Sequence, residues 1–177
     1  MVELIKSKLN LKINFNLEKE YCDCVHDLID HEKVKSMKNY MQHGDISCYS
    51  HSLHVSYTSF RLCKKLGLDY LSAARGGLLH DFFLYDWHAD KKTYTGLHGF
   101  VHPGIALQNA NEYFALNNIE KDIIEKHMWP LTIRLPRYKE AYVVLMVDKY
   151  CAFSETLNLI SKKDTNQLKI YETRISK

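Results

Sequence analysis

The run Leu71-Ser-Ala-Ala-Arg-Gly-Gly-Leu-Leu-His80-Asp81 decides how this chain is read. Small and apolar residues dominate its first nine positions, so it reads as a buried helix that another helix can approach closely. It ends on an imidazole and a carboxylate. A carboxylate at the end of a buried helix is costly unless its charge is compensated. The adjacent His80 cannot do that alone, whereas a metal ion can. The function therefore turns on whether other ligands stand at suitable places.

Working outward, Asn16 to about Lys38 reads as a helix with Leu17, Tyr21, Cys24 and Leu28 on one stripe. Gln42-His43-Gly44-Asp45 breaks it. A second helix is expected from about Ser47 to Leu66, closed by Gly67 as a left-handed cap. A third runs from Asp69, its N-cap, to Leu84. Residues 86–101 lack periodicity and read as a loop. Pro103 suits the first position of a fourth helix ending near Asn117-Asn118. A fifth spans about Glu120–Met128, residues 131–136 connect, and a sixth runs from about Tyr138 to Ile160. No stretch alternates, so the expected fold class is an all-α helical bundle without a sheet. The expected organisation is one domain: an N-terminal helical extension over 1–42, a core over 43–156 and a C-terminal tail over 157–177.

The bulk numbers agree with that reading. With 177 residues, 46% of them apolar, one ordinary core can form, and 7 Gly and 3 Pro are few, as helices require. The net charge of +3 is small and evenly spread, so neither a nucleic-acid polymer nor a membrane is an expected partner. No apolar run approaches the roughly 20 residues of a membrane span, and the first residues lack the apolar core of a signal peptide. Five scattered cysteines read as reduced thiols in a cytoplasmic protein. Cys22-x-Cys24 has no second pair to complete a thiolate metal site.

Histidine carries the chemistry. Of 10 in the chain, those at 51, 54, 80, 88, 98 and 102 lie close together in sequence. His51 shares a helical face with Val55, Thr58 and Leu62. His127 shares one with Ile123 and Ile124, and Asp148 with Ala141, Leu145 and Ala152. A single inward imidazole is ordinarily a hydrogen-bonded core residue, and a single inward Asp is ordinarily paired with an Arg or Lys. Several helices each placing one such group inward are explained together by a shared metal centre.

In this order the segments become a pattern. His51-Ser-Leu-His-Val55, Leu78-Leu-His-Asp81 and Val147-Asp148-Lys-Tyr-Cys-Ala152 resemble the signature of the HD-domain superfamily of metal-dependent phosphohydrolases. His102-Pro-Gly-Ile-Ala106 and Ile123-Ile-Glu-Lys-His127 resemble the two further histidines of its two-metal branch. The resemblance covers about residues 43–156. It implies that Asp81 bridges two divalent transition-metal ions, that His51, His80 and Asp148 complete the shell of one, and that His102 and His127 serve the other. Imidazole and carboxylate without thiolate suit Fe, Mn, Co, Ni or Zn alike. The catalytic centre so implied lies at His80 and Asp81, where two cations supply a hydroxide to a small phosphorylated substrate, such as a nucleotide.

The chain also departs from that family. Many members carry a Lys or an acidic residue shortly after the dipeptide, where this chain has Leu84. Asp86 and His88 stand slightly further on, either as substrate contacts or as a capped helix end. His98 is a further substrate-facing candidate, and Lys149, beside Asp148, is the best placed of the cations Arg75, Lys91, Lys92 and Lys149 to meet a phosphate. His54 competes with His51 as first ligand, the spacing to Val55 favouring His51. The same six ligands also resemble those of the superfamily's diiron oxygenases. A non-catalytic helical binding protein with structural histidines is the third reading.

Overall fold

The computed structural model describes residues 15–43, 46–88 and 95–157. Among them the chain forms helices α1 (Phe15–Ile29), α2 (Glu32–Ser36), α3 (Cys48–Leu66), α4 (Tyr70–Leu79), α5 (His98–Tyr113), α6 (Asn118–Lys126) and α7 (Lys139–Thr156). The only strands among the described residues are β1 (Met41–His43) and β2 (Ile46–Ser47). The all-α class holds. The tail over 157–177 lies outside the described residues save Leu157, as do Lys91, Lys92 and Tyr94.

Local signals set most boundaries. Ser47 caps α3 by accepting from the Ser50 N–H, and Gly67 closes it at φ 68°. Asp69 caps α4 by accepting from the Ser72 N–H. Asn117 and Glu120 form a reciprocal capping box at the start of α6.

Four expectations are corrected. The single helix over 16–38 is broken at Asp30, because His31 caps a new turn that buries Val34 and Met37. A small sheet exists: Met41 pairs with Ser47 and His43 with Ile46 across an irregular antiparallel hairpin. Strands of three and two residues are too short to alternate visibly. The third helix stops at Leu79 rather than Leu84. Phe82 and Phe83 are both buried, one against Tyr113 and Phe114, the other against His98 and His102. Neighbouring residues cannot bury on opposite sides from one helical face, so the chain leaves the helix there, with Leu84 in the left-handed region at φ 57°. Finally, α5 begins at His98, five residues before Pro103, and ends at Tyr113. Pro103 removes one backbone donor from the helix.

The core has two parts. One joins α1, α3, α4 and the 82–85 segment through Tyr21, Val25, Leu28, Phe60, Leu78 and Phe82. The other joins α3, α4, α6 and α7 through Val55, Cys63, Ala73, Ile123 and Val144. Between them α3 and α4 approach so closely that a Cβ on Gly77 would stand 3.0 Å from the Ser56 Cα. Ser56 Oγ donates to the Ala74 carbonyl at 2.6 Å across the same contact. That close crossing brings His51, in the first turn of α3, beside the end of α4.

Candidate metal centre

Five helices converge on one buried polar spot. His51 comes from α3, His80 caps the C-terminus of α4 and is followed by Asp81, His102 comes from α5, His127 caps α6, and Asp148 comes from α7. All six are nearly excluded from solvent.

The helices themselves orient the imidazoles. His80 Nδ1–H donates to the Gly77 carbonyl at 2.8 Å, and His127 Nδ1–H donates to the Ile124 carbonyl at 2.9 Å. His102 Nδ1–H donates to the His98 carbonyl at 2.9 Å. In each case the acceptor lies one turn back on the same chain segment, so the proton sits on Nδ1 and the Nε2 lone pair points away from the helix. His51 reaches the same state by a different route, with its Nδ1–H on Glu155 Oε2 at 2.8 Å.

The Nε2 atoms meet on the two oxygens of Asp81. Oδ2 lies 3.2 Å from His80 Nε2 and 3.9 Å from His51 Nε2. Oδ1 lies 3.2 Å from His102 Nε2 and 3.5 Å from His127 Nε2. Asp148 Oδ1 joins the first group, 3.1 Å from His51 Nε2 and 3.6 Å from His80 Nε2. His51, His80 and Asp81 thus form one group, and Asp81, His102 and His127 another, each with ligand atoms within 4.8 Å of one another.

The donor set fits metal ions. Four lone-pair nitrogens and two carboxylates converge, and the groups between them are nearly all acceptors. His80 Nε2 and Asp81 Oδ1 are buried without a hydrogen-bond partner, which costs free energy unless a cation accepts those lone pairs. These buried His and Asp groups can hold a metal ion.

Without a cation, protons do part of the same work. Burial opposes charge on His51 and His80, yet Asp148 and Glu155 raise His51 to about 9, and Asp81 and Asp148 raise His80 to about 10. Burial likewise opposes ionisation of Asp81, but His80, His102 and His127 hold its carboxyl well below the usual range. Asp148 is held low by His51 and His80 against the same penalty. His127 is pushed down to about 4 by burial and by the neighbouring His102 and His80. The first group therefore holds the protonated imidazoles, while His127 stays neutral with its lone pair available.

The remaining candidates sit around this centre. Lys149 Nζ lies 3.2 Å from Asp148 Oδ2 and 3.3 Å from the His127 carbonyl, with its side chain 43% exposed. His98 stacks on His102 at 4.6 Å and on Trp87 at 4.7 Å, and shares a 3.0 Å hydrogen bond with the Tyr85 hydroxyl. It is a packed neighbour of His102. Asp86 and His88 are brought together rather than to the six-residue group: the Asp86 carboxylate accepts from the His88 N–H at 3.0 Å, and the His88 ring lies on Trp87. His54 stands aside as well, 3.6 Å from Glu155 Oε1. Arg75 is engaged by Glu120 and Asp27.

Two residues were missed by the sequence reading. Gln42 on β1 donates from Nε2 to Asp81 Oδ2 at 2.7 Å, while its Oε1 accepts from the Cys48 thiol at 3.1 Å. Only the hairpin brings it there, and no sequence signal marks it. Glu155 did leave a signal, since it continues the stripe Ala141, Leu145, Asp148 and Ala152 by one further step of three. No helix among the described residues is long and apolar enough to cross a membrane. No family model, curated protein or solved structure matches the chain.

Proposed function

We propose that this chain is a metal-dependent phosphohydrolase of the HD type, acting on a small phosphate ester such as a nucleotide. The observation that carries the proposal is the division of Asp81, with one oxygen facing His51 and His80 and the other facing His102 and His127. A carboxylate so placed suits a bridge between two divalent cations. His51, His80 and Asp148 would complete the shell of one, and His102 and His127 that of the other. Two such cations supply a hydroxide nucleophile near neutral pH and a positive clamp for a phosphoryl oxygen.

The chain's own residues contribute the rest. Backbone carbonyls and Glu155 keep the Nε2 lone pairs aimed inward. The Lys149 ammonium, half-exposed at the edge of the centre, offers a further positive charge to a phosphoryl oxygen. Burial of the ligands keeps these charges in surroundings where they act strongly.

Metal analysis, followed by a panel of phosphate esters with Mn, Co, Ni or Fe supplied, tests the proposal. Hydrolysis of at least one ester that depends on added metal and is lost in D81A is the expected result. A fully loaded centre that cleaves no ester overturns it, and dioxygen consumption by an iron-loaded centre would replace it with the oxygenase reading.

A further inference from the structure

Glu155 is an expensive residue where it stands. It is 5% exposed and lies in the last turn of α7, where the helix dipole disfavours a carboxylate. Burial raises the cost of its charge. Its two oxygens are both used: Oε2 accepts from His51 Nδ1–H at 2.8 Å, and Oε1 lies 3.6 Å from His54 Nδ1.

Among the described residues, the other three inward imidazoles have no such partner. Their Nδ1–H groups rest on neutral backbone carbonyls. Negative charge is therefore unevenly shared. The half containing His51 and His80 has Asp81 Oδ2, Asp148 and, behind His51, Glu155. Among the described residues, the half containing His102 and His127 has Asp81 Oδ1 alone. Lys149 lies between them, on Asp148 Oδ2 and on the His127 carbonyl, so it opposes a cation in both halves. Gln42 draws on Asp81 Oδ2 without adding charge.

We infer that Glu155 is a positioning residue that makes the two halves of the centre unequal. It fixes the His51 ring with its lone pair inward and strengthens that imidazole as a ligand, as a carboxylate behind a ligating histidine does. The first cation binds at His51, His80, Asp81 and Asp148. The second binds more weakly at His102 and His127 and exchanges more readily. The inference rests on the two-cation reading of this site.

Titration of metal-free protein with Co2+, followed by calorimetry and by visible absorption, tests it. Wild-type protein is expected to bind one ion roughly tenfold or more tighter than the next. E155A should weaken the tighter step by roughly ten- to hundredfold and leave the weaker step in place. E155Q, whose amide oxygen still accepts from His51 Nδ1–H, should recover part of the loss. Should E155A lose its helical far-UV signal, E155Q against wild type carries the same comparison. Two equal affinities in wild type, a single bound ion, or equal weakening of both steps in a folded variant overturns the inference. Lack of ester hydrolysis leaves the titration unaffected, so failure of the activity and failure of this inference are told apart.

Discussion

His102 Nε2 and His127 Nε2 face each other at 2.8 Å, each with its Nδ1–H given to a backbone carbonyl. Two lone pairs at that distance repel unless a proton or a cation lies between them. Burial and neighbouring imidazoles push His127 down to about 4, so a proton is poorly held there. A metal ion bound by both nitrogens would relieve that repulsion.

That relationship separates the ligands by variant. H127A is expected to lose metal from its own half and to retain an ion at His51, His80 and Asp148. D81A, which removes both bridging oxygens, is expected to lose metal from both halves. Metal content of the dialysed proteins checks this. Full metal content in D81A would sink the bridging role.

Metal should stabilise the fold. A ligand present at about a hundred times its dissociation constant adds about 2.7 kcal/mol. For a chain of this length each kcal/mol moves Tm by about 2–4 °C. Melting with excess Co2+ should therefore exceed melting with a chelator by about 5–11 °C, and D81A should show no such difference.

The metal-free protein has a defined pH dependence. His51 and His80 are raised in the folded state, to about 9 and about 10, so their contribution is complete below about 6.5 and is lost as pH rises through 9–10. His127 is depressed to about 4, and so is His98, chiefly by burial and then by His102. Between about 4 and 6.5 the unfolded chain binds more protons at these two, so stability rises with pH there. Glu155, held at about 2, contributes above its ordinary value and loses that contribution as pH falls through 2. Urea midpoints in chelator should peak near pH 6.5 and fall on both sides. Midpoints that stay flat between pH 7 and 10 would contradict the assignment of His51 and His80.

Gly77 tests how the site depends on packing. In G77A the new Cβ meets the Ser56 Cα at 3.0 Å and the Ser56 nitrogen at 3.3 Å, backbone atoms inside α3 that cannot swing aside. Overpacking costs about 1–3 kcal/mol, against a helix-propensity gain of about 1 kcal/mol. A lower Tm is expected, together with weaker metal binding, because His80 Nδ1–H rests on the Gly77 carbonyl. Unchanged metal affinity would show that the α3–α4 spacing does not set the ligand geometry.

Lys149 is expected to act on substrate more than on metal. A charge-assisted hydrogen bond contributes about 1.5–3 kcal/mol when buried, and less here because the side chain is 43% exposed. K149A should raise KM for a phosphate ester about tenfold while metal content stays unchanged. A fall in metal content instead would place Lys149 in the stability of the centre.

Much of the site is legible from side-chain spacing. His51, His127 and Asp148 each lie on an apolar helical face, which is a statement about one helix and needs no partner. Glu155 lies on the same stripe as Asp148 and was legible in principle. Gln42 was not, because its role depends on a hairpin whose strands are too short to show a pattern. Asp86 and His88 look like site residues by proximity in the chain, yet the non-helical backbone after Asp81 brings them to one another.

The amino-acid sequence by itself determined the helical class, the helix start at Ser47, the cap at Asp69, the glycine closure at Gly67, and the inward faces that carry His51, His127 and Asp148. These follow from local periodicity and local hydrogen bonding, which act over a few residues. Only the tertiary structure decided that the inward groups meet, that each Asp81 oxygen faces its own pair of imidazoles, and that Gln42 and Glu155 stand behind them. Those contacts join residues far apart in the chain. They depend on how closely α3 and α4 cross at Gly77, a packing distance that no single helix specifies.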